Sequence, residues 1–181
     1  VFTSTRNNEM GTILSTAVIR GDLARCKILL NSGVDVHAQN EDGNSALMLA
    51  SQNGFLKISK LLLEHNASPS EKNKHDGQTA LMYTSENDHI DVAKLLIKNR
   101  ANVNLKNNDG MTSLMYASEN SNFEIAQFLI EHKSNVNNTD ENEWPALMFA
   151  SKNGDFSLVQ LLLNSGAEVG LKNEEDFNSL M

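Results

Sequence analysis

A repeat constrains this chain more than any other feature. Asp109 to Asn137 reads DGMTSLMYASENSNFEIAQFLIEHKSNVN: one turn, two short segments with helical apolar spacing, and a return loop. Earlier copies open with Asp42-Gly43-Asn44-Ser45-Ala46-Leu47-Met48 and Asp76-Gly77-Gln78-Thr79-Ala80-Leu81-Met82. A later copy opens with Asn142-Glu143-Trp144-Pro145-Ala146-Leu147-Met148, and Asn178-Ser179-Leu180-Met181 begins another. Met48, Met82, Met115, Met148 and Met181 stand 34, 33, 33 and 33 residues apart. A unit of this length cannot bury its apolar face alone. The period therefore predicts a solenoid in which each unit stacks on its neighbours.

The unit resembles the ankyrin repeat, whose motif runs roughly DG-x-TPLH-x-A, then a glycine, V-x-x-LLL and GADVN. The third unit carries Asp76-Gly77, Thr79, Leu81, Leu95-Leu96-Ile97 and Ala101-Asn102-Val103-Asn104. The fourth carries Asp109-Gly110, Thr112, Leu114, Ala117, Ile125, Phe128-Leu129-Ile130 and Asn135-Val136-Asn137. The resemblance covers nearly the whole chain, from about Glu9 onward. It implies an all-α solenoid of helix-turn-helix units joined by short β-hairpin loops. The expected organisation is a flanking segment 1–8, five repeats (9–41, 42–75, 76–108, 109–141, 142–174) and the start of a truncated sixth, 175–181. Helices are expected at Thr12–Arg20 and Leu23–Asn31 in the first unit, and at Ser45–Asn53 and Leu56–His65 in the second.

Departures from the motif carry physical consequences. Ile13, Ala46, Ala80, Ser113 and Ala146 replace its proline, and Met48, Met82, Met115, Met148 and Met181 replace its histidine. That histidine ties turns together by hydrogen bonding, whereas a methionine is expected only to pack. Cohesion between turns should then rest on dispersion and apolar burial. Ser45, Thr79 and Thr112 precede the first helices and are expected to cap them. Pro145 stands in the same place, tolerated because a helix's first N–H groups lack partners. Asp88 and Ser121 stand where Gly21, Gly54 and Gly154 stand, and Asn66, Arg100 and Lys133 stand where Gly33 and Gly166 stand. Positive φ at Arg100 and Lys133 would strain the middle units by roughly 1–2 kcal/mol each.

The net charge of −8 argues against nonspecific nucleic-acid binding, which needs clustered Lys and Arg. No apolar run approaches the ~18 residues of a membrane span, and no signal peptide is recognisable. Cys26, the single cysteine, cannot form an internal disulfide, so the cytosol or nucleus is the expected compartment. Its apolar setting predicts a buried, inert thiol. The chain starts without Met and stops inside a unit, so a longer protein is expected. Phe156, Leu158, Leu161 and Leu162 would then await cover from a further unit. The tripeptides at Asn66 and Asn137 match the glycosylation pattern by chance in an Asn-rich chain.

Catalytic and metal chemistry find no frame here. His37, His65, His75, His89 and His132 are scattered, without metal-ligand spacing. No glycine-rich phosphate loop follows a strand, and the paired carboxylates sit at expected turns. Neither an enzyme nor a cofactor is expected. The methionine column, and the column of Leu49, Tyr83, Tyr116 and Phe149, are read as core.

A third column points elsewhere. Asn44, Gln78, Met111, Trp144 and Phe177 follow the turn glycine, a position the resemblance aims at the concave side. Glu41, Asp42, Asp76, Asp109, Glu141, Glu143, Glu174 and Glu175 line the same tips, with Glu86 and Glu119 ending first helices. Lys57, Lys60, Lys94 and Lys98 fall on second helices. The expected contact residues are Asp76, Asp109, Met111, Glu119, Glu141, Glu143, Trp144 and Phe177, facing a protein partner with a basic surface. Three functions compete: an adaptor or scaffold, a targeting or regulatory segment of a larger enzyme such as a kinase or ubiquitin ligase, and a structural spacer. Asn104 and Asn137 also sit in Val-Asn contexts that resemble those hydroxylated in some ankyrin proteins.

Overall fold

The computed structural model describes residues 13–173 together with 175, 178 and 179. Helix α1 covers residues 13–19. It is followed by α2 (Leu23–Asn31), α3 (Ala46–Gln52), α4 (Leu56–Glu64), α5 (Ala80–Glu86), α6 (Ile90–Lys98), α7 (Ser113–Glu119), α8 (Phe123–Glu131), α9 (Ala146–Lys152) and α10 (Phe156–Asn164). Consecutive helices pair within a unit. From unit to unit, α3, α5, α7 and α9 form one packed row of inner helices, and α2, α4, α6, α8 and α10 form the outer row. Among the described residues, strand pairing is reduced to isolated bridges at the tips: Gln39 with Ser45, Lys72 with Thr79, Thr139 with Pro145, and Lys172 with Asn178.

The core is a set of columns, each repeated once per unit. Leu14, Leu47, Leu81, Leu114 and Leu147 form one, and Leu62, Leu96, Leu129 and Leu162 another, all fully enclosed. The methionines Met48, Met82, Met115 and Met148 are buried as expected. They do more than pack. Ser45, Thr79 and Thr112 accept the backbone N–H three residues on, and the methionine sulfur there accepts the cap residue's own N–H at 3.3 Å. Both orphan donors of the helix start are thus satisfied reciprocally, the logic of a capping box with a thioether in the role of Glu or Gln. Pro145 has no N–H to give and no side-chain cap, so neither half of this device forms at α9.

Cohesion between turns is also more polar than expected from the methionines. Asn73 donates to Asp42 O and Asn44 Oδ1 at 3.0 and 2.8 Å, and Asn108 donates to His75 O at 2.9 Å. Lys72 Nζ donates to Lys106 O at 2.6 Å, and Lys106 Nζ donates to Thr139 O at 2.7 Å. Asn122 and Asn153 reach back to carbonyls at the ends of α5 and α7. The Asn73 bonds join successive hairpin tips and the others join adjacent units, so asparagine and lysine take over the lateral role.

The glycine columns now have a steric account. A Cβ at Gly54 would lie 2.6 Å from the His89 ring, and one at Gly21 would meet Phe55 at 3.4 Å. At Asp88 and Ser121 the corresponding neighbours in the next unit are the smaller Asn122 and Asp155, and both positions keep positive φ, 58° each. Arg100 and Lys133 hold φ of 68° and 72°, and Asn66 holds 66°, as the lost glycines predicted. A sixth strained position, Glu143 at φ 64°, occupies the tip place of Gly43, Gly77 and Gly110. At the last described helix, Phe156 is 76% exposed and Leu163 41%. The expectation of an uncovered α10 face needs correction for Leu158 and Leu162, which are fully enclosed in a helix that packs on α9 and α8.

Candidate partner-binding surface

In the third, fourth and fifth units, the turn that starts the inner helix places two side chains on one side: the residue after the tip position and the aromatic of the helix's first turn. Tyr83 donates to Asn44 Oδ1 at 2.8 Å, one unit back. One unit on, Gln78 Nε2 donates to the Tyr116 hydroxyl at 2.6 Å, and Asn107 joins at 3.2 Å. The tyrosines and Phe149 are buried as the core reading expected, with the hydroxyls saturated by this tip network.

Carboxylates surround these tyrosines. Both phenols are pushed up to about 12, chiefly by burial. Asp76 and Glu86 add repulsion at Tyr83; Glu86, Asp109 and Asp76 add it at Tyr116. Glu86, half-buried at the end of α5, has its carboxyl raised by burial, then by Glu119 and Asp76. Asp76 and Glu119 therefore lie within electrostatic reach of Glu86, and Glu86, Asp109 and Asp76 within reach of Tyr116.

Trp144 heads the next unit and is half-buried. Its ring lies 5.3 Å from Phe149, tilted by 48°, and the Lys152 ammonium sits 5.4 Å from its centroid. Such a cation–π contact contributes about 0.5–1 kcal/mol at exposed sites. Asp140 fixes the tip beneath it by accepting the N–H groups of Asn142 and Trp144 at 3.0 and 2.7 Å. Asp140, Asn142, Trp144, Phe149 and Lys152 line a shallow open hollow. Glu141 and Glu143 are exposed beside it, and the Glu141 N–H is bound to Asp109 O of the preceding tip at 2.9 Å.

The other expected residues fall differently. Met111 is only 8% exposed and belongs to the buried core. As an anchor it is superseded by Trp144, because a side chain so enclosed offers a partner little surface. Phe177 lies outside the described residues. Lys152 and Phe149 are part of the surface that the sequence reading had not joined to Trp144. The spacing of Lys152 one unit beyond Glu119 was the available signal.

Charge is divided less cleanly than the sequence suggests. Lys57, Lys60, Lys94 and Lys98 are exposed on α4 and α6, but Lys94 pairs with Glu124 at 3.0 Å and Lys60 lies 4.0 Å from Glu64. The tips also hold Lys72, Lys74 and Lys106, each spent on a neighbouring carbonyl. Asn104 and Asn137 bridge units, accepting the N–H of Asn135 and Glu168 at 2.8 and 2.9 Å.

Among the described residues, no group of three His, Cys, Asp or Glu side chains is placed to hold a metal ion, and no helix is long and apolar enough to cross a membrane. Cys26 is fully buried, and burial raises its thiol pKa, which matches an inert packing role.

The helix pairs, the tip hydrogen bonds and the repeated columns agree with a family comparison. The family model for ankyrin repeats (3 copies) matches residues 14–107 and 99–173. The chain belongs to the ankyrin-repeat family.

Proposed function

We propose that the array is an adaptor or scaffold that docks a protein partner through its tips and inner helices. Ankyrin repeats are in general protein–protein interaction modules and in general non-catalytic. One observation carries the particular reading: a half-buried tryptophan stands beside carboxylates that find no cation within the array. Glu141 and Glu143 are exposed at the Trp144 tip, and Asp76, Asp109 and Glu119 stand on the tips and inner helix of the two preceding units. Among the described residues, none of them is in an ion pair. Interfaces typically place an aromatic anchor inside a charged rim. The partner in this reading carries basic residues around an apolar group, and the acidic rim speeds encounter and selects against acidic proteins.

The test compares three forms of the chain in affinity capture from native extract, read by mass spectrometry. These are the wild type, Trp144→Ala, and Lys57→Glu on the outer helices. Proteins retained by the wild type and by Lys57→Glu should be lost at least tenfold with Trp144→Ala. Equal retention by all three, with equal thermal stability, moves the contact surface elsewhere. Loss with Lys57→Glu alone assigns docking to the outer row.

A further inference from the structure

The last residue of each inner helix forms a column: Ile19, Gln52, Glu86, Glu119 and Lys152. Helix C-termini favour cations, because their unpaired carbonyls carry partial negative charge. Lys152 obeys this rule. Glu86 and Glu119 break it, and among the described residues neither carboxylate has a hydrogen bond or an ion pair to offset the misplacement. They also repel each other, which contributes to the raised Glu86 carboxyl. Local rules broken without internal compensation are expected at functional positions.

The column also has a spacing. Side-by-side helices lie about 8–10 Å apart. A polyproline-II chain turns once in three residues and advances about 9 Å in doing so. Every third side chain of such a chain therefore meets the next inner helix. A β-strand repeats on one face after two residues, about 7 Å, and falls out of step. An α-helix matches only at every seventh residue, about 10.5 Å. Its backbone N–H groups are already bonded, whereas an extended chain has them free.

Building on the docking reading above, we propose that the inner-helix face binds an extended polyproline-II segment of the partner in a fixed charge register. Two basic side chains three residues apart meet Glu86 and Glu119. An acidic side chain three residues further on meets Lys152, and the intervening apolar atoms lie against Trp144 and Phe149.

Synthetic peptides test this directly, because Trp144 is the sole tryptophan and its fluorescence reports the site. The matched peptide has the order basic, two prolines, basic, two prolines, acidic. The permuted peptide places the acidic residue between the two basic ones, so it mismatches in either direction at the same composition. A helical peptide carries the same charges seven residues apart. The matched peptide should bind at least tenfold more tightly than the other two. Lys152→Glu should shift the preference to a peptide basic at all three positions. Equal affinity for matched and permuted peptides, tighter binding of the helical one, or no binding by any overturns the register. The docking reading is judged apart from this: extract proteins still lost by Trp144→Ala would leave it standing.

Discussion

At the scale of single residues, Glu143 carries the clearest cost. It holds φ 64° at the tip position where three other units have glycine. A left-handed backbone costs an L-residue roughly 1–2 kcal/mol, and glycine returns part of that as unfolded-chain entropy. Glu143→Gly should therefore stabilise the array by about 1 kcal/mol in denaturant titration, and a neutral or negative change would show that the tip does not strain the chain. This strain was legible in the alignment of Asn142-Glu143 with Asp-Gly, as it was for Arg100 and Lys133; reading Glu143 only as a charge hid it. The tyrosines give a second prediction. Their phenols titrate at about 12 in the folded chain, against about 10 when unfolded. A raised pKa means that the folded state holds its proton longer. The contribution is complete below pH ~10 and is lost as pH rises through ~12. Tyr83 and Tyr116 are the only tyrosines, so the phenolate absorbance reads them alone. Stability should fall across that window, and Tyr116→Phe should reduce the fall. Phenolate appearing near pH 10 in the folded protein would contradict their enclosure.

At the scale of elements, the helices were legible because the apolar columns return every unit and hydroxyl residues mark three inner-helix starts. The sulfur contacts were not legible, because methionine reads as an apolar side chain and its weak acceptor shows only when an N–H is held against it. The array contains its own control for this contact. Met82→Leu keeps the volume but leaves the Thr79 N–H buried without an acceptor, which costs about 1–3 kcal/mol. Met148→Leu makes the same apolar change at a helix whose cap residue, Pro145, has no N–H. Isosteric swaps of this kind usually cost less than about 1.5 kcal/mol. Met82→Leu should thus destabilise more than Met148→Leu, by about 1 kcal/mol in chemical denaturation. Equal losses would return the methionines to packing alone.

At the scale of the molecule, the repeat period disclosed the solenoid but not what joins its units. The joints depend on pairs of positions about 33 residues apart, and such pairs look unremarkable in any single copy. The candidate site was legible in the same partial way: its acidic residues stood in columns, while the Trp144–Phe149–Lys152 group appeared only in three dimensions. The junction of the second and third units shows how a joint can be tested. His89 lies against Gly54 and its Nε2 donates to Gln52 O at 3.0 Å. Alanine at Gly54 would set its Cβ 2.6 Å from the ring and also strain a backbone at φ 67°. The ring must withdraw, and the bond to Gln52 is lost with it. In a linear array, weakening one interface uncouples the units on either side. Gly54→Ala should lower the melting temperature and separate unfolding into two steps, detected by calorimetry. His89→Ala removes the ring and its bond but leaves the backbone unstrained. The double variant should then be only about 1–2 kcal/mol less stable than His89→Ala, the φ cost alone. If Gly54→Ala costs as much with the ring absent as with it present, close approach is not what requires glycine there, and the joint is held by the remaining apolar columns.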